Sequence, residues 1–454
     1  MRGRVLLINP WIYDFAAYDL WAAPLGLLTI AAVLRQAGYD VAYLDCLDRH
    51  HPALLRRLGR EAKVNAYGCG KFLKTFLPKP PPLRDVPRRY GRYGLPLDIV
   101  DQELAQMPQP DVVLVTSGMT YWYPGAFEAI RQVKARFPGT PVVLGGIYAT
   151  LCHEHAVAHS GADVVVAGEG ERQALGWVAR LTGNAPPADE RAPTLDDLPY
   201  PAYDLLRHLD FVALATSRGC PLRCSYCASH LLHGGGFRQR DPQRVVDEIA
   251  HWHGSYGVQD IAFYDDALLV NADRHIRPIL DEVGHRGLRL RFHTPNGLHA
   301  RLIDRALAEA MFAAGFRTLR LSLETADPHR QRETGDKVTS AELESAIAHL
   351  KAAGFSGRDI GVYVLMGLPG QPLQEVVESV GYVHRLGVVA DLAFYSPIPG
   401  TVEWRRAVAA GHLAADADPL LHNNSIYPIL RGQVSERECQ QVKDLARALN
   451  RQVL

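Results

Sequence analysis

Short apolar runs alternate with helical stretches along most of this chain, and that alternation leaves little room for anything but a parallel α/β fold. Residues 5–10, 41–45, 111–115, 141–146 and 163–166 are strand-like runs, mostly rich in Val and Leu, and residues 24–38 carry apolar side chains at helical spacing before stopping at Gly38. A continuous apolar strand is buried on both faces, which a parallel sheet with helices on either side provides. The first part of the chain is therefore expected to be a doubly wound parallel sheet, with its ligand site at the carboxyl ends of the strands.

A second series follows at residues 211–215, 260–264, 288–293, 318–323, 360–366 and 390–395. Asp241-Pro242 opens one intervening helix, and Thr339 with Glu342 has the pattern of a capping box at another. Six such units are too few for a closed eight-unit barrel, so a partial (β/α)6 barrel is expected. The expected fold class is α/β: a Rossmann-like sheet, then the partial barrel, then a small helical C-terminal tail. The expected boundaries are 1–182 for the first domain, with an insertion at about 46–110, 183–206 for a Pro- and Asp-rich linker, 207–400 for the barrel, and 401–454 for a helical extension. Within the insertion, the basic, aromatic and Pro-rich stretch 79–94 is expected to be an extended loop with no core of its own.

Charge excludes one class of partner. Lys plus Arg and Asp plus Glu are equal at 49 each among the 454 residues, so no global field steers the protein to nucleic acid or to an anionic membrane. No apolar run is long enough to span a bilayer, and the start, Met1-Arg2-Gly3-Arg4, does not have the form of a signal peptide. A cytoplasmic location is expected. The seven cysteines, three clustered and the others scattered, do not form a disulfide framework, which implies a reducing compartment.

The clustered cysteines carry the chemistry. Cys220, Cys224 and Cys227 lie in the pattern C-x-x-x-C-x-x-C just after the strand at 211–215. Three thiolates on one loop can converge on one inorganic centre but supply one ligand fewer than a closed tetrahedral site needs. Zinc loops usually come as two paired elements, and the only later cysteine, Cys439, lies far along the chain on an expected helix.

The spacing, with Tyr226 directly before the last cysteine, resembles that of the radical S-adenosylmethionine (SAM) enzymes. The resemblance implies a 4Fe-4S cluster on Cys220, Cys224 and Cys227, with SAM chelating the fourth iron. It also implies an electron donor such as flavodoxin or ferredoxin, whose electron cleaves SAM to a 5′-deoxyadenosyl radical. By the same resemblance, the strand ends supply the SAM contacts. Asp265 and Asp266 follow the second barrel strand, without the family's Gly-Gly-Glu form, and Asn296 follows the third. Arg320, Ser322 and Glu324 share one face of the fourth, where Arg320 is expected on the SAM carboxylate. Gly367 and Pro369 resemble the adenine-contacting turn after the fifth.

A second resemblance lies in the first domain. Asn9-Pro10, Leu25-Gly26, Ser117, Gly145-Gly146, Thr150 and Gly168-Glu169 fall at successive strand ends and helix starts and resemble the cobalamin-binding domain that precedes many radical SAM modules. The implied roles are close backbone approach to a corrin at the glycines and hydrogen bonds to its amides from Ser117 or Thr150. Tyr121, in the run Tyr121-Trp122-Tyr123, is expected to flank the corrin or to fill its place. The pattern D-x-H-x-x-G, whose His ligates cobalt, is absent, so cobalamin is expected without that ligand. In the stretch 45–51, Asp45, Cys46, Asp48, His50 and His51 are neighbours on a turn, which rarely converge on one ion, and no second ligand pair is evident.

Taken together, these resemblances imply a cobalamin-dependent radical SAM enzyme that methylates an unactivated carbon of a small molecule or peptide. The alternatives are a radical SAM enzyme of rearrangement, cyclisation or oxidation, and a non-catalytic metal-binding or sensing protein.

Overall fold

The computed structural model describes residues 2–185 and 194–453. Pro186, Pro187 and Pro193 of the expected linker lie outside the described residues. The chain forms two compact units, one reaching to Asp210 and including Asp418–Leu421, the other comprising Phe211–Ala417 and the residues from His422 onward. Among the described residues no helix is long and apolar enough to cross a membrane.

The first unit is built on β1 (Arg4–Asn9), β2 (Asp40–Asp45), β3 (Val112–Val115), β4 (Val142–Leu144) and β5 (Val164–Val165), all parallel, in the spatial order β2-β1-β3-β4-β5. Val5 and Leu7 of β1, with Val112 and Leu114 of β3, are buried against Leu27, Ala31 and Leu34 of the helix Leu25–Gln36 and Val178 of the helix Glu171–Leu181. The strand order reverses between β1 and β3, and a doubly wound sheet places its ligand crevice at the carboxyl ends on either side of such a reversal.

The insertion departs from the expected extended loop. Gly91–Tyr93 pairs antiparallel with both Ile12–Asp14 and Lys74–Phe76, giving a three-stranded sheet. Ile12, Phe72 and Tyr93 form its small apolar cluster. Strands of three residues are too short for a two-residue alternation to register in the sequence, and one partner comes from outside the insertion.

The second unit carries β6 (Phe211–Leu214), β7 (Asp260–Phe263), β8 (Arg291–His293), β9 (Phe316–Glu324), β10 (Ile360–Met366) and β11 (Val389–Phe394). They form one six-stranded parallel sheet in sequential order, the open partial barrel. Phe263, Phe292 and Phe316 stack across β7, β8 and β9 with ring centroids 5.3–6.0 Å apart. Asp241 accepts from the amides of Gln243 and Arg244 to start the helix Pro242–Tyr256, and the Thr339–Glu342 capping box starts Ser340–Ala353. The C-terminal helix Glu436–Val453 covers the last strand. Asn450 exchanges two hydrogen bonds of 2.9 Å with the backbone of Ala390, so the outer edge of β11 is partly occupied.

Candidate functional site

The cysteine loop leaves the carboxyl end of β6 and is tied down along its length. Asp265, two residues past β7, is buried and accepts from the Thr216 amide at 3.1 Å, the Thr216 hydroxyl at 2.7 Å and the Ser217 hydroxyl at 2.5 Å. His275 Nε2 lies 2.9 Å from the same Thr216 hydroxyl. Gly219 then turns the chain at φ +81°, where a Cβ would stand 2.0 Å from the Gly236 carbonyl oxygen, so only glycine fits. Further on, the Ser225 amide donates to the Thr334 carbonyl at 3.0 Å, and the Ser225 hydroxyl donates to Glu403 at 2.6 Å. Replacing Asp265 by Ala strands three buried donors. The expected cost is about 3 kcal/mol of stability, read by denaturant unfolding, together with a lower iron content after reconstitution. An unchanged midpoint and full iron would refute this anchoring role.

The three thiols lie near enough for each to feel the charge of another. Cys224 is buried, and Cys220 and Cys227 are half-buried. Burial pushes each thiol up, and each is also raised by the charge of another of the three. Lys337 is the cation that opposes this shift at all three sulfurs. Its ammonium donates to the Ser322 hydroxyl at 2.7 Å and lies 3.7 Å from Glu324 Oε1. Glu324, the last residue of β9, has φ +69°, a left-handed conformation that costs free energy in a residue with a Cβ and concentrates at functional sites. Lys337 was not singled out from the sequence. It sits after a short helix with no pattern around it, and only folding brings it to Ser322 and Glu324.

The other expected contacts divide. Asp266 accepts from the Ser229 hydroxyl at 2.6 Å, and the Ser229 amide approaches Cys227 Sγ at 3.5 Å, so Asp266 stands beside the cysteines. Asn296 donates to the Tyr264 carbonyl at 2.9 Å, which joins the ends of β7 and β8. The turn holding Gly367 and Pro369 is fastened by Gln371, whose side-chain oxygen accepts from the Gly367 amide at 2.9 Å. Tyr226 packs on the apolar cluster of Leu365, Leu368 and Tyr395. Arg320 is not gathered with them. It pairs with Asp391 of β11 at 2.8 Å, across Gly361, and roughly 13 Å of strand separates it from Glu324.

At the carboxyl edge of the first sheet, Asn9 donates to Asp45 at 2.8 Å, and Pro10 beside it is buried. Burial, reinforced by the charge of Asp48, raises the Asp45 carboxyl to about 7. The hydroxyls of Ser117 and Thr150 donate to the Gly145 and Gly146 carbonyls at 2.6 and 2.8 Å, so both hold loops together rather than offering protons outward. Tyr121 is buried in the unit, and Leu25 and Gly26 start the helix after β1. The Glu169 carbonyl accepts from Gln173 at 3.0 Å. Gly146 is required by the fold, because at φ +97° its Cβ would lie 2.4 Å from the Ser117 carbonyl oxygen. Gly145, Gly168 and Gly26 differ: a Cβ there would meet no atom nearer than 3.9 Å. At Gly168 the left-handed φ of +79° itself favours glycine, whereas neither packing nor backbone conformation within the chain explains smallness at Gly145 or Gly26.

Comparison with known proteins finds likeness over both units. Residues 214–383 match the radical SAM superfamily, and residues 96–175 match the B12 binding domain. An uncharacterized methyltransferase of Pyrococcus horikoshii is 27% identical over 347 residues, 70% of this chain and 74% of the relative. The cytidylyl-2-hydroxyethylphosphonate methyltransferase of Streptomyces wedmorensis is 24% identical, covering 90% of this chain and 82% of the relative. The radical SAM methyltransferase TsrM of Kitasatospora setae, solved with cobalamin and a [4Fe-4S] cluster, shares the fold with a TM-score of 0.65 and 19% identity over 89% of this chain and 74% of that one.

Proposed function

We propose that this chain, a radical SAM enzyme with a B12 binding domain ahead of its barrel, methylates an unactivated carbon of a small molecule or peptide. The observation that carries the reading is the set of three electrostatically coupled thiols, Cys220, Cys224 and Cys227, each under the influence of the Lys337 charge, on the loop that leaves a six-stranded parallel sheet. Three sulfurs suit an iron–sulfur cluster that leaves one iron for SAM. Open space beside Gly145, Gly168 and Gly26 suits a corrin. When bound, the cluster with SAM supplies a hydrogen-abstracting radical and cobalamin supplies the methyl group.

The chain's own residues bind and orient. Cys220, Cys224 and Cys227 are the cluster ligands, and Ser322, Glu324 and Asn296 are the polar SAM contacts. Lys337, rather than Arg320, meets the SAM carboxylate, because Arg320 is already neutralised by Asp391. A charge-assisted hydrogen bond is worth about 1.5–3 kcal/mol. Lys337→Met should therefore lower kcat/KM for SAM cleavage roughly 10- to 100-fold while leaving iron content unchanged. Unaltered cleavage kinetics would return the role to another residue. The thiols suit a reducing cytoplasmic setting, with a flavodoxin or ferredoxin as electron donor.

Product analysis tests the function. Methyl transfer forms both 5′-deoxyadenosine and S-adenosylhomocysteine alongside a methylated acceptor. Cleavage that yields 5′-deoxyadenosine and never S-adenosylhomocysteine would overturn methylation and leave a radical rearrangement, cyclisation or oxidation.

A further inference from the structure

A side-chain set that this function leaves unused lies elsewhere in the first unit. His50 follows β2, and His208 and Asp210 stand at the end of the same unit. The second ligand pair that the sequence around residues 45–51 lacked is therefore supplied by folding. His208 Nε2 is 2.7 Å from Asp210 Oδ1, and His50 Nε2 is 3.4 Å from Oδ2 of the same carboxylate. The two imidazoles stack with centroids 4.0 Å apart. All three ligand atoms lie within 4.8 Å of one another.

Hydrogen bonding accounts for only half of this arrangement. The His208 contact is a good hydrogen bond, whereas 3.4 Å is longer than a well-formed one. Among the described residues, His50 Nε2 is buried and has no hydrogen-bond partner. A tetrahedral zinc ion bound at 2.0–2.2 Å sets neighbouring ligand atoms about 3.4 Å apart, close to the separation on the His50 side and within an ångström of that on the His208 side. The surroundings are also fixed. Arg207 pairs with Glu103 at 2.8 Å and with Asp48 at 3.4 Å, and Asp48 accepts from the His50 amide at 2.8 Å.

We propose that His50, His208 and Asp210 bind a divalent cation of the zinc type through two imidazole nitrogens and one carboxylate oxygen, with water completing four-coordination. The donor set favours this choice, since imidazole suits zinc and its neighbours whereas magnesium and calcium take all-oxygen shells. The ion would fasten residues 208–210 to the loop after β2 and has no part in the cysteine chemistry.

The test uses untagged full-length protein with its iron–sulfur cluster filled, so that the cysteines do not take up zinc. The wild type should retain about one zinc per chain after gel filtration, by mass spectrometric metal analysis. His208→Ala, at a half-exposed ring whose loss opens no core, should weaken zinc binding at least tenfold, and His50→Asn should do the same. Iron counted on each sample reports whether the variants are folded, and Co²⁺ in place of zinc should give the visible absorption of a tetrahedral site that both variants lose. Equal zinc retention in all three proteins, or none in the wild type, would overturn the site and leave the cysteine assignment intact.

Discussion

Cys224→Ala reduces 5′-deoxyadenosine formation to that of an enzyme-free control. Cys224 is buried and its thiol feels the charge of Cys220, so no water or neighbouring side chain is expected to replace it as a ligand. Two thiols on one loop hold an iron–sulfur cluster poorly, and reconstituted iron should fall from about four per chain toward zero. Removing one sulfur from a buried position costs little packing, so the far-ultraviolet circular dichroism and the cobalamin content should match the wild type. That combination separates loss of the cluster from loss of the fold. Full cleavage activity in the variant would end the radical SAM reading. Loss of cobalamin together with iron would instead mean that Cys224 supports structure well beyond its own loop.

The legible part of this protein was the part whose chemistry is local in sequence. Three cysteines at 220, 224 and 227 stand out because their spacing is set by one short stretch of chain. The strands of both sheets declare themselves because burial on both faces forces continuous apolar runs, as in β1 and β10. What escaped the sequence is what tertiary structure assembles. Lys337 reaches Ser322 and Glu324 only after β9 and the following helix are in place, and the Arg320 pair with Asp391, two strands away, has no trace in the local spacing.

Spacing also concealed competition for hydrogen bonds. Ser117 and Thr150 look like outward-facing hydroxyls at strand ends, yet the Gly145 carbonyl of a neighbouring loop takes the Ser117 proton and the Gly146 carbonyl one helical turn back takes that of Thr150. Asp265 is similar. It stands at the end of β7 where a cofactor contact was expected, but its carboxylate is engaged by Thr216 and Ser217. A buried acceptor surrounded by donors of its own fold holds the loop that bears the cysteines, which is an indirect route to the same chemistry.

Gly145→Leu should fold normally and lose cobalamin. The argument rests on a contrast between neighbours. At Gly146 a methyl group would lie 2.4 Å from the Ser117 carbonyl oxygen at a backbone φ of +97°, so Gly146→Ala is expected to destabilise the unit by about 1–3 kcal/mol whether or not a ligand binds. At Gly145 the nearest atom to such a methyl is the Val166 carbonyl oxygen at 3.9 Å, and φ lies outside the left-handed range. A larger side chain there finds space in the chain itself, and the space it fills lies at the carboxyl end of β4. Thermal unfolding of the ligand-free Gly145→Leu protein should therefore stay within a few degrees of the wild type. Cobalamin measured by absorbance after anaerobic reconstitution should fall from near one per chain to under a tenth, with Gly145→Ala in between. The iron content, set by a loop in the other unit, should not change. A Gly145→Leu protein that keeps full cobalamin would mean that the corrin does not lie against these strand ends, and the glycines at 26 and 145 would need another explanation.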